Sequence, residues 1–143
     1  MLRSGRAEDA PGLLELWRVS GAEPTSTDDV AALRALVARD PDALVVAEAD
    51  GAVVGSIVAG FDGWRANLYR LVVHPRLRRR GLGSALVAEA ERRVRRVGAR
   101  RVSALVVVDQ THAVAFWEAA GYARDPHLGR HVKALADPAP PPG

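Results

Sequence analysis

The most informative part of the sequence is NLYRLVVHP (residues 67–75), RLRRRGLGS (76–84) and, after sixteen further residues, RVSALVVV (101–108). The first and last of these segments are rich in valine and leucine, as β-strands buried in a sheet are. Between them, apolar residues recur every three to four positions, as on one face of a helix. These residues are Leu82, Leu86, Ala90, Val94 and Val97. The sequence therefore predicts a strand, a loop, a helix and a second strand in succession.

The loop before this helix contains two glycines, Gly81 and Gly83. Glycine has no Cβ, so the backbone can approach a ligand closely, and the first N–H groups of a helix are free to bind an anion. A P-loop needs a lysine beside its glycines, and a dinucleotide-binding fingerprint needs a small residue where Leu86 stands. The remaining pattern, Arg78-x-x-Gly81-x-Gly83, predicts a loop that binds a pyrophosphate.

Four helices and several strands are predicted around this unit. Helical periodicity and turn residues predict helices at about 8–19, 27–39 and 111–120, and strands at 43–49, 52–60, 122–123 and 130–135. At 143 residues the chain fits one domain, assigned to residues 1–136. The proline-rich tail at 137–143 is expected to be disordered.

Composition excludes several classes of protein. There is no cysteine, which removes disulfides, thiolate nucleophiles and cysteine zinc sites. The four histidines have no metal-ligand spacing, so no metal is expected. The sequence shows no signal peptide and no apolar run long enough to cross a membrane, which predicts a cytoplasmic protein without a membrane partner.

Positive charge is concentrated in the second half of the chain. Ten of the 20 basic residues lie between Arg76 and Arg101, opposed there only by Glu89 and Glu91. Such a block suits a nucleic acid or a phosphate-bearing small molecule, although a solvated helix surface has the same composition. Paired glycines suit close backbone approach, and aromatic residues make up only 5% of the chain. We therefore expect no nucleic-acid partner and keep a nucleic-acid-binding module as the less favoured alternative.

Three motifs taken together resemble the GNAT superfamily of acetyl-CoA-dependent N-acetyltransferases, in particular its small single-domain bacterial members. The motifs are the VHP that ends the first strand, RRRGLGSALV in the loop, and AVAFWEAAGY at 113–122. The resemblance implies an α+β fold with a mixed, mostly antiparallel, twisted sheet of about six to seven strands, flanked by four helices. The sheet would splay between its fourth and fifth core strands and admit acetyl-CoA there. A primary amine of a small molecule or peptide would attack the thioester directly in a ternary complex, and a homodimer would be common for the family.

The resemblance also assigns the binding of acetyl-CoA to two backbone segments. Backbone groups of Leu71, Val72 and Val73 would bind the acetyl carbonyl and the pantetheine. Arg78 would support the loop, and the pyrophosphate would be held by the amides of Arg79, Arg80, Gly81, Leu82, Gly83 and Ser84.

The sequence departs from the family pattern at the catalytic positions. Trp117 stands where the family usually has a tyrosine, and Asn67 and Leu105 stand where some members have a glutamate. The general acid and base therefore stay open, with Tyr69 and His112 as candidates. His112 equally suits a solvent-facing position at a helix start. These departures also keep a second interpretation, a non-catalytic sensor that binds acyl-CoA.

The acceptor site of the family is formed by the first two helices, their connecting loop and the turns at the splayed end of the sheet. In this chain that region contains Trp17, Glu23 and Trp64, an acid and two aromatic side chains that suit a cationic amine. Asp28 and Asp29 lie there too, but they equally suit the start of a helix. The identity of the amine does not follow from the sequence.

Overall fold

A computed structural model describes residues 1–135, so the predicted tail at 137–143 lies outside the described residues. The chain forms four α-helices, five strands and two short 3₁₀ turns within this range. In chain order they are β1 (Leu2–Ser4), a 3₁₀ turn (Ala7–Asp9), α1 (Ala10–Val19), α2 (Val30–Arg39), β2 (Leu44–Ala49), β3 (Ala52–Phe61), β4 (Ala66–Val73), a 3₁₀ turn (Pro75–Leu77), α3 (Leu82–Arg96), β5 (Val102–Ala104) and α4 (Thr111–Ala119).

The strands form one mixed sheet in the order β1-β2-β3-β4-β5. The first four are antiparallel to their neighbours, and β5 runs parallel to β4 because α3 carries the chain back between them. The predicted α+β class and the four helices are confirmed. The predicted count of six to seven strands is wrong for the described chain, because segments 122–123 and 130–135 pair with no strand and are irregular.

Each face of the sheet has its own hydrophobic cluster. The side chains of Ala66 and Leu68 pack toward α3, whereas those of Val58 and Val72 pack toward α1 and α2. The helices contribute the buried side chains Leu86, Val87, Ala90 and Val94 on one face and Leu13, Leu16, Trp17 and Leu33 on the other. Within residues 1–135, no helix is both long enough and apolar enough to cross a bilayer.

A β-bulge in β4 changes which side chains share a face. Ile57 of β3 lies opposite two residues of β4, Arg70 and Leu71, and Arg70 adopts a positive φ of 54°. Tyr69 pairs with Val58, so its side chain lies on the face of α1 and α2. Because the bulge inserts one residue, Arg70 also reaches this face, where regular alternation would have turned it away.

An ion cluster joins α3 to the opposite edge of the sheet. The carboxylate of Glu89 accepts hydrogen bonds from Arg92 Nε and Arg93 Nε, both at 2.9 Å. Arg93 Nη1 also donates to the hydroxyl of Ser4 and to the carbonyl of Asp42, both at 3.0 Å. Hydrogen bonds from Arg92, and then from Arg93, lower the pKa of Glu89 to about 2.

The free energy of unfolding should therefore fall as the pH drops from about 5 to about 2, more steeply in the wild type than in Glu89→Gln. The folded pKa of Glu89 lies below the ordinary value of about 4.3, so its stabilising contribution is complete above that value and is lost as the pH falls toward about 2. Urea unfolding at several pH values measures the effect. Glu118→Gln, on the exposed side of α4, should keep the wild-type dependence, and identical pH profiles for wild type and Glu89→Gln would contradict the prediction.

Candidate functional site

The loop between β4 and α3 presents a row of free backbone donors. The N–H groups of residues 79–84 donate no hydrogen bond to another group of the described chain, residues 1–135. Arg79 and Gly81 have positive φ values of 65° and 80°, a loop conformation in which successive N–H groups can form a concave anion site. The N-terminus of α3 adds the positive end of its dipole. The loop is thus built to bind an anionic group such as a phosphate.

Glycine is favoured at the two glycine positions of this loop for different structural reasons. Gly81 is the left-handed N-cap of α3, and a Cβ at this position would meet nothing within 4 Å. Its backbone conformation, not crowding, favours glycine. A Cβ at Gly83 would lie 3.4 Å from the ring of Phe116 and 3.9 Å from the side chain of Val73. Gly83 therefore also allows α4 to pack against the first turn of α3, a reason that the sequence did not reveal.

Next to this loop the sheet opens between β4 and β5. The two strands pair only over Ala66–Leu68 and Val102–Ala104, and Leu105 N–H donates the last hydrogen bond to the carbonyl of Leu68 at 3.1 Å. Beyond this point residues 69–73 of β4 have no strand on the β5 side, and we call them the open edge of β4. The predicted splay between the fourth and fifth strands lies at this opening. The segment 102–108 was predicted to be a buried strand, and this is wrong beyond Ala104: β5 ends there at the edge of the sheet, and Val107 and Val108 are 56% and 60% exposed.

Three residues of the open edge were predicted to bind acetyl-CoA through their backbone. The side chains of Leu71 and Val73 pack against the hydrophobic cluster on the α3 face of the sheet. The side chain of Val72 is 8% exposed and belongs to the cluster on the face of α1 and α2. Their side chains are thus occupied in the core, while their backbone lies at the opening.

The three arginines before the glycines are exposed. Arg78 Nη2 donates to the carbonyl of Ser20, at a distance of 3.4 Å. Ser20 begins the loop between α1 and α2, residues 20–29, which we call the α1–α2 loop. Arg78 therefore contacts a second loop, while Arg79 and Arg80 remain at the surface beside the free amides.

Arg70 ties the α1–α2 loop to the open edge of β4. Its Nη2 donates to the carbonyl of Glu23 at 2.9 Å and to the carboxylate of Asp28. Its guanidinium lies over the indole of Trp17, 5.0 Å from the ring centroid. The hydroxyl of Ser56 donates to the Arg70 carbonyl at 2.8 Å and accepts from the Trp17 indole N–H at 2.9 Å. Five residues on four segments thus form one connected cluster.

The structure brings two of the three predicted acceptor residues together. Trp17 is only 4% exposed and lies in the core beneath Arg70, which favours a supporting role over direct contact with a ligand. Glu23 is exposed and contacts Arg70 through its main chain. Trp64 is 72% exposed on the β3–β4 turn, where the guanidinium of Arg65 stacks on its ring at 4.1 Å.

The two candidate catalytic residues lie on different elements. Tyr69 is 36% exposed on the open edge of β4, and its hydroxyl would be 2.8 Å from a Cβ placed at Gly60. His112 is exposed in the first turn of α4, without a hydrogen-bond partner in residues 1–135. No hydrogen bond joins Tyr69 to His112 in this part of the chain. Across the same residues no three His, Asp or Glu side chains are grouped so that they could hold a metal ion.

The aromatic residues at the end of α4 are structural. Trp117 is 6% exposed and packs edge-on against Phe116 and Tyr122, with centroid separations of 5.5 Å and 4.9 Å. The Tyr122 hydroxyl donates to the Glu91 carboxylate at 2.7 Å, and burial, reinforced by this bond, raises the pKa of Tyr122. Neither Trp117 nor Tyr122 therefore has a proton ready for transfer to the opening.

Sequence reasoning missed Arg70, Ser56 and Gly60 in this region. Arg70 is a charged residue inside a valine- and leucine-rich strand, and a bulge is one way to turn such a side chain to another face. That signal could have placed Arg70 on the face of α1 and α2. Nothing in the sequence connects Gly60 with Tyr69, because the contact between β3 and β4 depends on the register of the two strands.

Comparison with known proteins agrees with this arrangement. The family model described as the acetyltransferase (GNAT) family matches residues 10–122. An acetyltransferase of Pectobacterium atrosepticum is 30% identical over 121 residues, which cover 85% of this chain and 86% of that protein. The solved structure of Ard1 from Thermoplasma volcanium has a TM-score of 0.77 at 25% identity, covering 86% of this chain and 82% of that one. The PaiA N-acetyltransferase of Thermoplasma acidophilum, solved in complex with coenzyme A, has a TM-score of 0.80 at 20% identity, with coverage of 90% and 92%.

Proposed function

This chain belongs to the GNAT family and is an acyltransferase, and from that premise we propose that it transfers the acetyl group of acetyl-CoA to a primary amine. The acceptor would be a small molecule or a peptide. The observation that carries the proposal is the row of unpaired N–H groups at residues 79–84 beside the open edge of β4. The same loop leads directly into the N-terminus of α3 and follows the open edge of β4.

The features of the loop suit the phosphates of acetyl-CoA. The pyrophosphate would accept hydrogen bonds from the N–H groups of residues 79–84, with the positive charge of Arg79 and Arg80 nearby. The pantetheine would then extend along the open edge of β4 and bind the backbone of residues 71–73. The coenzyme A complex of the PaiA neighbour, which shares the fold, supports this choice of ligand.

In the proposed reaction the neutral amine attacks the thioester carbonyl, so that a C–N bond forms and the C–S bond breaks. A backbone N–H of the open edge would stabilise the negative charge that develops on the carbonyl oxygen, and the two sites would hold the reactants close together. The thiolate is a tolerable leaving group, because a thiol has a pKa of about 8.5. The amine proton would pass to water or to the imidazole of His112, or it would be relayed through the hydroxyl of Tyr69, which gives up its own proton as it accepts one.

For the acceptor side we propose an amine that is cationic before it reacts. Glu23 offers an exposed carboxylate, and Trp64 an exposed aromatic face. Asp28 is less available than the sequence suggested, because Arg70 already pairs with it. A cytoplasmic location and a homodimer stay part of the proposal, on the basis of composition and of the family resemblance.

A thiol-release assay across a panel of amines tests the proposal. The panel should contain polyamines, aminoglycosides, free amino acids and peptides with free N-termini, each with acetyl-CoA. Amine-dependent release of coenzyme A with at least one class is the expected result. Binding of acetyl-CoA without release with any amine would instead favour the acyl-CoA sensor, which Trp117, Asn67 and Leu105 keep as the second candidate.

Gly60→Ala should lower kcat about as much as Tyr69→Phe, by about 100-fold, if the Tyr69 hydroxyl acts in catalysis. The new Cβ would lie 2.8 Å from that hydroxyl and would displace it without removing it. Acetyl-CoA affinity, measured by calorimetry, should stay within about twofold. The double variant Gly60→Ala/Tyr69→Phe should have a kcat no lower than that of Tyr69→Phe alone. Gly12→Ala, on the exposed side of α1, serves as the control. A fully active Gly60→Ala would remove Tyr69 from the catalytic groups.

A further inference from the structure

We infer that Arg70 is a positioning residue that fixes the α1–α2 loop, residues 20–29, on β4, so that the acceptor side of the site is formed before the acceptor binds. The inference rests on the proposed function, because it takes this loop as a wall of the acceptor site. It assigns a role in the acceptor site to Arg70, and it explains why this residue adopts a positive φ. It also predicts a separation between acceptor binding and acetyl-CoA binding.

Arg70 contacts the α1–α2 loop at two points five residues apart, Glu23 and Asp28. One guanidinium nitrogen binds the Glu23 carbonyl and the Asp28 carboxylate together. Asp28 in turn closes a turn of the loop, because its carboxylate accepts from Thr25 N–H at 2.7 Å and its own N–H donates to the Thr25 carbonyl at 3.1 Å. Asp28 therefore shapes the loop, and Arg70 fastens the shaped loop to the sheet.

The pair is shielded enough to hold this arrangement. The side chains of Arg70 and Asp28 are 21% and 13% exposed, unlike the Arg18–Glu15 pair of α1, whose side chains are 70% and 60% exposed. An ion pair that is mostly withdrawn from water is screened less by salt than an exposed one. Trp17 supports the guanidinium from below, through its ring face.

The backbone of Arg70 is strained in a way that serves this contact. A φ of 54° is uncommon for a residue other than glycine, and such strain persists where the surroundings hold it. The bulge at Arg70 is what turns its side chain toward the α1–α2 loop, and the Ser56 hydroxyl fixes its carbonyl. Residues 71–73, proposed to bind acetyl-CoA, follow directly. One residue thus joins the acceptor loop to the strand that would carry the thioester.

A second arginine holds the start of the same loop. Arg78, next to the free amides, donates to the Ser20 carbonyl at 3.4 Å. The α1–α2 loop is therefore attached at Ser20, Glu23 and Asp28 to the strand and loop that border the opening. An isolated surface loop of ten residues would have no such attachments.

The test compares Arg70→Met, Arg70→Lys, Asp28→Asn and the double variant Arg70→Met/Asp28→Asn, with Arg18→Met as the exposed control. Hydrogen exchange of the amides of residues 20–29 reports the loop directly in the free protein. Calorimetry reports acetyl-CoA affinity, and the KM and kcat for the most active amine of the panel report transfer.

Arg70→Met should raise exchange in residues 20–29 and the amine KM by about 10- to 100-fold, the effect expected for a lost hydrogen bond to a charged group. Acetyl-CoA affinity should change less than threefold. Asp28→Asn should act in the same direction, Arg70→Lys should recover part of the effect, and the control should match wild type. In Arg70→Met/Asp28→Asn the increase in the amine KM, expressed as free energy, should be smaller than the sum of the increases in the two single variants, because the double variant leaves no unpaired charge.

Unchanged loop exchange in both Arg70→Met and Asp28→Asn would overturn the inference. Loss of acetyl-CoA affinity equal to the loss of acceptor affinity would also overturn it, because Arg70 would then act on the thioester side. Should Arg70→Met fail to fold, Asp28→Asn gives the same decision. If the wild type transfers acetyl to no amine, the proposed function fails, whereas the exchange measurement still decides the role of Arg70.

Discussion

Gly83→Val should weaken the binding of acetyl-CoA by about 10- to 100-fold while the sheet stays folded. The Cβ would already lie 3.4 Å from the Phe116 ring and 3.9 Å from Val73, and valine adds two methyl groups to this contact. Overfilling a packed contact costs about 1–3 kcal/mol, and about 1.4 kcal/mol is a factor of ten in affinity. The first turn of α3 would shift to relieve the crowding, and its free N–H groups would leave the position that suits a pyrophosphate.

Calorimetric titration with acetyl-CoA measures this loss. Gly12→Val is the matched control, because Gly12 is exposed on α1 and its Cβ would lie 3.9 Å from Val53. Combining Gly83→Val with Phe116→Ala should recover part of the affinity, since it removes the ring that the valine meets. Wild-type affinity in Gly83→Val would mean that acetyl-CoA does not depend on the first turn of α3.

The largest loss of stability is expected from Gly5→Ala. Gly5 is buried where the chain leaves β1, and its N–H donates to the Leu44 carbonyl at 2.8 Å. A Cβ there would lie 2.2 Å and 2.4 Å from carbons of the Leu44 side chain, which is 1% exposed in the core. We expect the free energy of unfolding to fall by about 2–3 kcal/mol and the melting temperature by about 5–10 °C.

Thermal and urea unfolding check this value. The double variant Gly5→Ala/Leu44→Ala should be more stable than the sum of the two single changes predicts, because the smaller residue 44 leaves room for the new methyl group. Gly129→Ala is the control, since its Cβ would come no closer than 3.9 Å to the His131 ring. A melting temperature within about 1 °C of wild type would show that β1 and β2 adjust at no cost.

The central unit of the fold could be predicted because its signals are local. The apolar period of α3, the glycines at its start and the valine-rich strands each depend on residues a few positions apart. The first strand and α3 are confirmed, whereas only Val102–Ala104 of the second strand forms. The end of the chain could not be predicted in the same way. Residues 130–135 have the composition of a strand, but a strand also needs a neighbour, and no strand of residues 1–135 pairs with them. Composition alone does not show whether a neighbouring strand is present.

The candidate site also has a part with local sequence signals and a part without them. The loop at residues 79–84 could be found from the sequence because a single motif contains it. The acceptor side could not, because its contacts join residues far apart in the chain, such as Arg70 with Asp28. Trp17 was predicted to bind the acceptor, yet it lies in the core, with the Arg70 guanidinium over its ring and its indole N–H bonded to Ser56. Asp28 was weighed as an acceptor ligand or a helix cap, whereas the helix cap is Asp29 and Asp28 pairs with Arg70.

The most direct test of the account is a calorimetric titration of the wild-type protein with acetyl-CoA, repeated with an acetylated pantetheine that lacks the phosphates. We expect saturable one-to-one binding of acetyl-CoA that weakens as salt is added, and much weaker binding of the phosphate-free compound, because the amides of residues 79–84 would then have no anion to bind. No heat of binding with acetyl-CoA, or equal affinity for the two compounds, would contradict the account.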